Sequence, residues 1–372
     1  MFCDHELIEK LYKISGPVLQ LRIKTELMDK LPCDNEELVQ NVLKLPEVQK
    51  YIEFYANGSR QESSYCYSKM LHGAAAEKLE NTVGKIWAFG LKKGVHAIDE
   101  FLKSYINIME QDFYRKDVNR IGYGVYYIAQ FLSLIGYADE DPIACIMQKR
   151  LDQVYNFVRQ ERYDIYVDVK GYPKLPSSWK SVDKIIDPAL TRYGDAESEP
   201  PLPSLYDLLG ILGMKQTGMT KENEIKANTI LKYCYDERYQ KGIMYKYGIA
   251  LSPTGQYYSM GWSVHLPGYG QILNKDMEIN KLLLWADIFS NFTVSTEFEL
   301  MKGLMNFLEN YRTKDGFYSF PKKFIPEEKN GYFVSGKYMG LGENRTQKEA
   351  YLIESTFRAL KLKKILECKG NP

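Results

Sequence analysis

STEFELMKGLMNFLENYR (295–312) places apolar residues at three- and four-residue steps with charges between them, the pattern of a helix with one wet face. TKDGFYSFP (313–321) then breaks the period with glycine, proline and aromatic residues. EAYLIESTFRALKLKKIL (349–366) resumes as a helix that starts small or polar and becomes largely apolar. The same order recurs along the chain. Apolar second helices are expected at 74–91, 122–137, 203–214, 279–292 and 349–366, and amphipathic first helices at 94–114, 143–162, 221–239 and 295–312. Helices covered on nearly all sides read apolar, and helices with one face in water read amphipathic. Alternation of the two predicts an all-α fold, a closed ring of roughly five to six helical hairpins with inner and outer helices, in one domain spanning 1–372. An irregular bundle or an open solenoid is the alternative. Residues 17–31 form a further amphipathic segment, and Pro46 splits the next one into two helices. Whether residues 1–60 join the ring or lie outside it is left open.

The chain has 372 residues, 49 Lys and Arg against 48 Asp and Glu, and a formal charge of +1. That balance supplies no electrostatic footprint for nucleic acid. With 45% hydrophobic and 26% charged residues, the composition is that of a globular chain. The longest apolar run, 121–137, is shorter than the roughly 20 residues a bilayer span needs, and the first 16 residues lack the apolar stretch of a signal peptide. Six cysteines stand singly and without zinc-knuckle spacing, so reduced thiols in a cytoplasmic protein are expected. Asn57–Gly58–Ser59 matches a glycosylation acceptor and reads as a turn. Asp139, Glu140 and Asp141 read as a solvated turn at the end of an inner helix.

Three features resemble the α/α-toroid superfamily of terpenoid cyclases and protein prenyltransferase β subunits. FLENYRTKDGFYSFP (307–321) before TQKEAYLIESTFRAL (346–360) is similar to its outer-helix, Gly-aromatic loop, inner-helix order, with QKGIMYKYG (240–248) a weaker copy. ESTFRALKLKKIL (354–366) resembles the closing inner helix, and VLQLRIKTELMDKL (18–31) with VLKLPEVQKYIEFYANG (42–58) resembles the opening helices of small bacterial members. The resemblance implies an aromatic-lined central cavity for an apolar or isoprenoid-like small molecule. The acid motif DxDD of the cyclases is absent, and Cys66 with His72 is the nearest approach to a zinc set, with no carboxylate attached. No catalytic residue of either branch is carried over, and neither a metal site nor a cofactor is assigned.

In such a ring, the loops entering the inner helices share one rim, and concave rims favour ligands. The loop at 63–73 brings His72 there, and the loop at 115–124 brings Arg120 beside Arg115. The loop at 167–203 carries Trp179 and the carboxylates Asp168, Asp183, Asp187, Asp195, Glu197 and Glu199. Paired carboxylates there, with Asp195 and Glu197 as candidates, suit acid–base work on a glycan, while a solvated acidic loop is the plainer account. The loop at 246–270 packs Tyr257, Tyr258, Trp262, His265 and Tyr269 together. Tyr258 and His265 could pass protons and the other rings could bind ligand, or the whole set could be a packed aromatic plug. In the loop at 331–347, Arg345 could hold an anion before the last inner helix, or Thr346 and Glu349 could form a capping box.

Three functions follow. The first is a terpenoid cyclase- or prenyltransferase-like protein with an apolar ligand. The second is a glycan-active hydrolase or lyase. The third is a non-catalytic binding or scaffold protein. All are read with a small molecule or glycan as partner, no nucleic acid, no membrane span and no assigned oligomeric state.

Overall fold

The computed structural model describes residues 4–28, 35–60, 70–113, 121–171, 184–191, 200–243, 246–251 and 255–367. The chain is mostly helical and carries a small four-stranded sheet. It forms two compact units: Met1–Ser104 with Pro267–Pro372, and Tyr105–Leu266.

The first unit opens with α1 (His5–Ile14), α2 (Pro17–Arg22, continued by a π-helical turn, Ile23–Leu27), α3 (Glu36–Leu43), α4 (Pro46–Ser59) and α5 (Leu79–Ala88). Pro46 stands at the first position of α4 and Leu45 before it is extended, as sterics ahead of a proline require. Asn57, Gly58 and Ser59 lie in the last turn of α4, not in the expected turn. Ser59 is buried there, with its hydroxyl on the Ala56 carbonyl. All ten residues of α5 are buried, Glu80, Asn81, Thr82 and Lys85 included. A one-turn helix, His96–Asp99, precedes α6 (Leu102–Phe113), within which the division between the two units falls.

The second unit continues with α7 (Ile121–Leu132, extended by a π-helical turn, Ser133–Tyr137) and α8 (Ile143–Val158), then strands β1 (Tyr166–Asp168) and β2 (Lys184–Ile186). Helices α9 (Leu205–Gly218) and α10 (Lys221–Tyr235), then strands β3 (Gly248–Leu251) and β4 (Tyr257–Met260), complete it. Residues 124–137 and 205–214 are buried throughout, as inner helices should be. Two glycines of α9 let neighbouring segments approach, the turn after α7 and helix α8. A Cβ on Gly213 would stand 2.0 Å from the Ser133 carbonyl oxygen, and one on Gly210 would stand 2.4 Å from the Met147 methyl. Ser204 caps α9 in a capping box with Asp207, and the Asp207 carboxylate takes Arg150 Nε and Nη2 at 2.7 and 2.8 Å. The strands correct the all-α expectation. β1 pairs antiparallel with β2, β2 parallel with β3, and β3 antiparallel with β4. They lie in the segments read as structureless loops. Runs of three or four residues are too short to show a period, yet Ile185, Ile186, Ala250 and Leu251 are buried and reward pairing.

The chain returns to the first unit with α11 (Ile279–Phe289), α12 (Glu299–Glu309) and α13 (Lys348–Glu367). α13 packs against α11, α12, α1 and the π-helical turn after α2, so the first residues of the chain share a core with the last. Glu343 accepts the Gly16 amide at 2.7 Å and closes the same seam. Burial raises the pKa of this carboxyl. The short turn Phe333–Ser335 fills the space between α5 and α11. Phe333 sits where a Cβ on Gly84 would be, 2.2 Å from its ring carbon Cγ. Trp87 meets the same ring edge-on at 6.2 Å, and Trp285 Nε1 donates to the Val334 carbonyl at 3.0 Å. Among the described residues, no helix is long and apolar enough to cross a membrane.

Candidate functional site

The start of α5 gathers more polar side chains than an apolar helix needs. Lys78 is extended and provides no side-chain cap. The first-turn carboxylate of Glu80 instead folds back over the preceding loop. It accepts the Gly73 amide at 2.8 Å and the His72 Nδ1 hydrogen at 3.0 Å. Asn81 donates to the Gly73 and Ala75 carbonyls at 2.9 and 2.8 Å and accepts the Phe333 amide at 2.8 Å. Thr82 donates to the Ala76 carbonyl at 3.2 Å. The loop at 326–341 grips the same segment from the other side. The Gly331 amide and the Tyr338 hydroxyl both bond the Ala74 carbonyl, at 2.7 and 2.9 Å. Burial, helped by Glu327, Glu77 and Glu80, pushes the Tyr338 hydroxyl up to about 12, so it stays a donor.

His72 is the half-exposed member of this arrangement. Its side chain is 33% exposed, whereas that of Glu80 is 0%. The imidazole stacks on Tyr332, with centroids 5.2 Å apart and planes at 25°. The Glu80 Oε1 that accepts the Gly73 amide also faces His72 Nδ1, which places the imidazole hydrogen on Nδ1. The ring orientation is thereby fixed, and Nε2 faces away from the carboxylate as the atom able to take or give a proton. Beneath lies a second buried charge. Lys85 bonds the Gly340 carbonyl at 2.7 Å and Glu327 at 3.1 Å, and its ammonium lies 4.7 Å from the Phe89 ring centroid.

The other residues singled out from the sequence fall in several places. Arg120, Trp179, Asp195 and Glu197 lie outside the described residues, as do Arg115, Asp183 and Glu199. Asp168 accepts the Lys170 amide at 2.8 Å, and Asp187 accepts the Ala189 amide at 2.9 Å and pairs with Arg162. Tyr257 and Tyr258 are successive residues of β4, half-buried, and point to opposite sides of the sheet. Trp262 has a left-handed backbone, φ +65, accepts the Leu205 amide at 2.9 Å and packs its ring 5.3 Å from that of Tyr206. Tyr206 in turn meets Tyr127 and Phe131, so Trp262 joins an aromatic cluster over α7 and α9. His265 is half-buried on a segment pinned by the Tyr239 hydroxyl at Val264 and the Gln240 amide at Leu266. Tyr269 belongs to the first unit, and Tyr257, Tyr258, Trp262 and His265 to the second.

Arg345 is drawn inward. It pairs with the wholly buried Glu354 and donates to the Ile325 carbonyl at 2.6 Å. Burial alone would lower its pKa, but Glu354 raises it. Asn344, not a Thr346–Glu349 box, shapes the turn before α13. Its side chain accepts the Thr346 amide and hydroxyl at 3.2 and 2.7 Å.

Glu80, Tyr332 and Lys85 were not singled out in the sequence. The signal for Glu80 and Lys85 is charge inside LENTVGKIWA, a segment otherwise apolar enough to be buried, while Tyr332 stands in the loop at 331–347 already read as part of the rim. Among the described residues, no three His, Cys, Asp or Glu side chains converge as metal ligands would. The chain matches no protein-family model, no curated protein and no solved structure.

Proposed function

We propose that this chain is an α/α-toroid protein that acts by proton transfer on a glycan, at the rim where the loops at 71–78 and 326–341 meet the start of α5. One observation carries the reading: half-exposed His72 is held by a fully buried carboxylate and stacked on a tyrosine. A carboxylate-oriented imidazole is suited to general acid–base work, and a tyrosine beside it supplies a second proton-carrying group. That pairing fits removal of the proton next to a uronate carboxyl and protonation of the leaving oxygen, an elimination. His72 is the proton-transfer residue, Glu80 its positioning residue, and Tyr332 the stacking partner and second acid. The ring of hairpins is supported by the fully buried inner segments of α5, α7 and α9, which alternate with amphipathic neighbours. A cytoplasmic location is supported by Cys145 and Cys234, both free thiols.

The isoprenoid reading needs a deep apolar cavity. Phe333 and Trp87 occupy the space beside α5, which favours the rim. Thermal melting with uronate-containing oligosaccharides, neutral oligosaccharides and prenyl diphosphates separates the readings, because a ligand that binds only the native state raises Tm. The proposal expects a rise with a uronate oligosaccharide and formation of an unsaturated product. His72→Gln should lower turnover about 10²–10⁴-fold while leaving the melting of the free protein close to wild type. A rise with prenyl diphosphates alone would replace this reading with the apolar one, and no response to any probe would favour a scaffold.

A further inference from the structure

The residue ahead of the first turn of α5 runs against the habit of this chain. Helices α9 and α10 are capped by the hydroxyls of Ser204 and Thr220, as helix starts usually are. At α5 the same place is held by Lys78, whose side chain caps nothing. A cation there also faces the positive end of the helix dipole, so neither capping nor helix electrostatics accounts for a lysine. A residue that breaks a local rule without a structural return marks a place kept for function.

The lysine is also given room. Its stem runs along Gly73, with Cγ, Cδ and Cε 3.5, 3.6 and 3.1 Å from where a Cβ on Gly73 would stand. Gly73 has φ +151, a conformation that residues with side chains rarely adopt. A side chain at 73 would strain the backbone and crowd the stem, so glycine suits the place, and it is the residue next to His72. One Glu80 oxygen accepts the Gly73 amide at 2.8 Å and faces His72 Nδ1 at 3.0 Å. Imidazole, glycine and lysine stem are thus assembled about a single buried carboxylate. His72 and Lys78 are both half-buried, so the ammonium, one bond beyond Cε, is carried at the rim. Lys85, the other cation of this segment, is wholly buried and engaged by the Gly340 carbonyl, Glu327 and Glu47.

Elimination from a uronate needs a charge of this kind. The hydrogen to be removed lies next to a carboxylate that is already negative. As the C–H bond breaks, the proton passes to His72 Nε2 and the electron pair moves onto the carboxyl oxygens, which then carry two negative charges. The pair returns as a carbon–carbon double bond while the bond to the glycosidic oxygen breaks, and that oxygen takes the Tyr332 proton. Solvent then carries the proton from His72 back to Tyr332. A fixed cation at the carboxyl group lowers the barrier to the first step, because the charge it meets grows there.

We propose that Lys78 receives the carboxylate of the sugar and so selects uronates over neutral sugars at the His72 rim. It is a specificity-determining residue, fixed beside the imidazole by the cleared surface of Gly73. This rests on the proton-transfer reading of His72 and adds to it the group that sets the substrate class.

Calorimetric binding of a uronate oligosaccharide and of its carboxyl-reduced, neutral counterpart to the full chain tests this, with turnover of the uronate measured alongside. The wild-type protein should bind the uronate at least about tenfold more tightly. Lys78→Met should bind both alike, and Lys78→Arg should keep the preference. Turnover of the uronate should fall about 10²–10³-fold in Lys78→Met. That variant removes a cation from an unfavourable place, so it should melt no lower than wild type, and Lys78→Gln gives the same readout should it fold poorly. Turnover with the preference unchanged in Lys78→Met would overturn this inference and leave His72 in its role. A preference lost in Lys78→Met without turnover in any variant would uphold Lys78 and overturn the proton-transfer reading. A wild-type protein indifferent to the carboxyl group would overturn the assignment of Lys78.

Discussion

Replacing Gly84 by alanine tests whether the interior of the first unit is filled by the Phe333 turn. In an exposed helix the change would stabilise the protein by about 1 kcal/mol, because glycine is the poorer helix former. Here the new methyl would lie 2.2, 2.4 and 2.6 Å from Cγ, Cδ1 and Cδ2 of Phe333, distances that no real pair of atoms holds. The ring cannot slide freely away. Its amide is bonded to Asn81, and the next residue is bonded to the Trp285 indole. Overpacking of this kind costs about 1–3 kcal/mol, and expelling the ring would approach the about 3–5 kcal/mol of a Phe→Ala truncation. A net loss of about 2–4 kcal/mol is therefore expected, despite the propensity gain. Urea unfolding followed by tryptophan fluorescence reads it, since Trp87 and Trp285 both flank Phe333. Phe333→Leu supplies the control. Gly84→Ala should cost at least about 1 kcal/mol less in that background, the coupling expected of residues in contact. A neutral or stabilising Gly84→Ala, additive with Phe333→Leu, would refute the packing described.

Other perturbations follow from the same physics. Burial lowers the Lys281 ammonium to about 8, so the folded protein resists its protonation. Its contribution to stability is present above the unfolded value near 10.4 and is lost as pH falls through 8, an effect of about 3 kcal/mol. Melting should rise between pH 8 and 10 in the wild-type protein and stay flat in Lys281→Met. Glu26 and Asp287 titrate below their unfolded values, so their contribution is complete above about pH 5 and is lost progressively below pH 4. An acid titration followed by circular dichroism should show that onset. Asp207→Asn leaves Arg150 buried without a carboxylate and should cost about 3–5 kcal/mol in chemical denaturation. Glu80→Gln should lower turnover while His72 still binds ligand, separating kcat from KM, whereas a purely structural Glu80 would change only the melting temperature.

The helical character of the chain was legible because burial writes itself into sequence at a helical period. Within the segments read as apolar at 74–91, 122–137 and 203–214, residues 79–88, 124–137 and 205–214 are buried throughout. The start of α9 was legible too, because Pro203 and Ser204 are punctuation with a mechanism. The strands were not, since three residues of β2 carry no period and owe their state to partners elsewhere in the chain, where Ile186 meets Tyr166 and Ile185 meets Ile249. Arg345 illustrates a second limit. From sequence it was an exposed cation before a helix, and only the fold brings it onto Glu354. His72 was placed at a rim by the helix pattern, but its partners could not be read. Glu80 is eight residues on and inside an apolar helix, and Tyr332 comes from the far end of the chain.

Nitrogen-15 NMR of the imidazoles reaches the central claim most directly. The chain has only four histidines, His5, His72, His96 and His265, so each signal can be assigned by substitution. The account predicts that His72 carries its hydrogen on Nδ1, that Glu80→Gln disturbs this signal more than any other histidine's, and that a uronate oligosaccharide shifts it. A His72 protonated on Nε2 alone, indifferent to Glu80→Gln and to every glycan added, would contradict it.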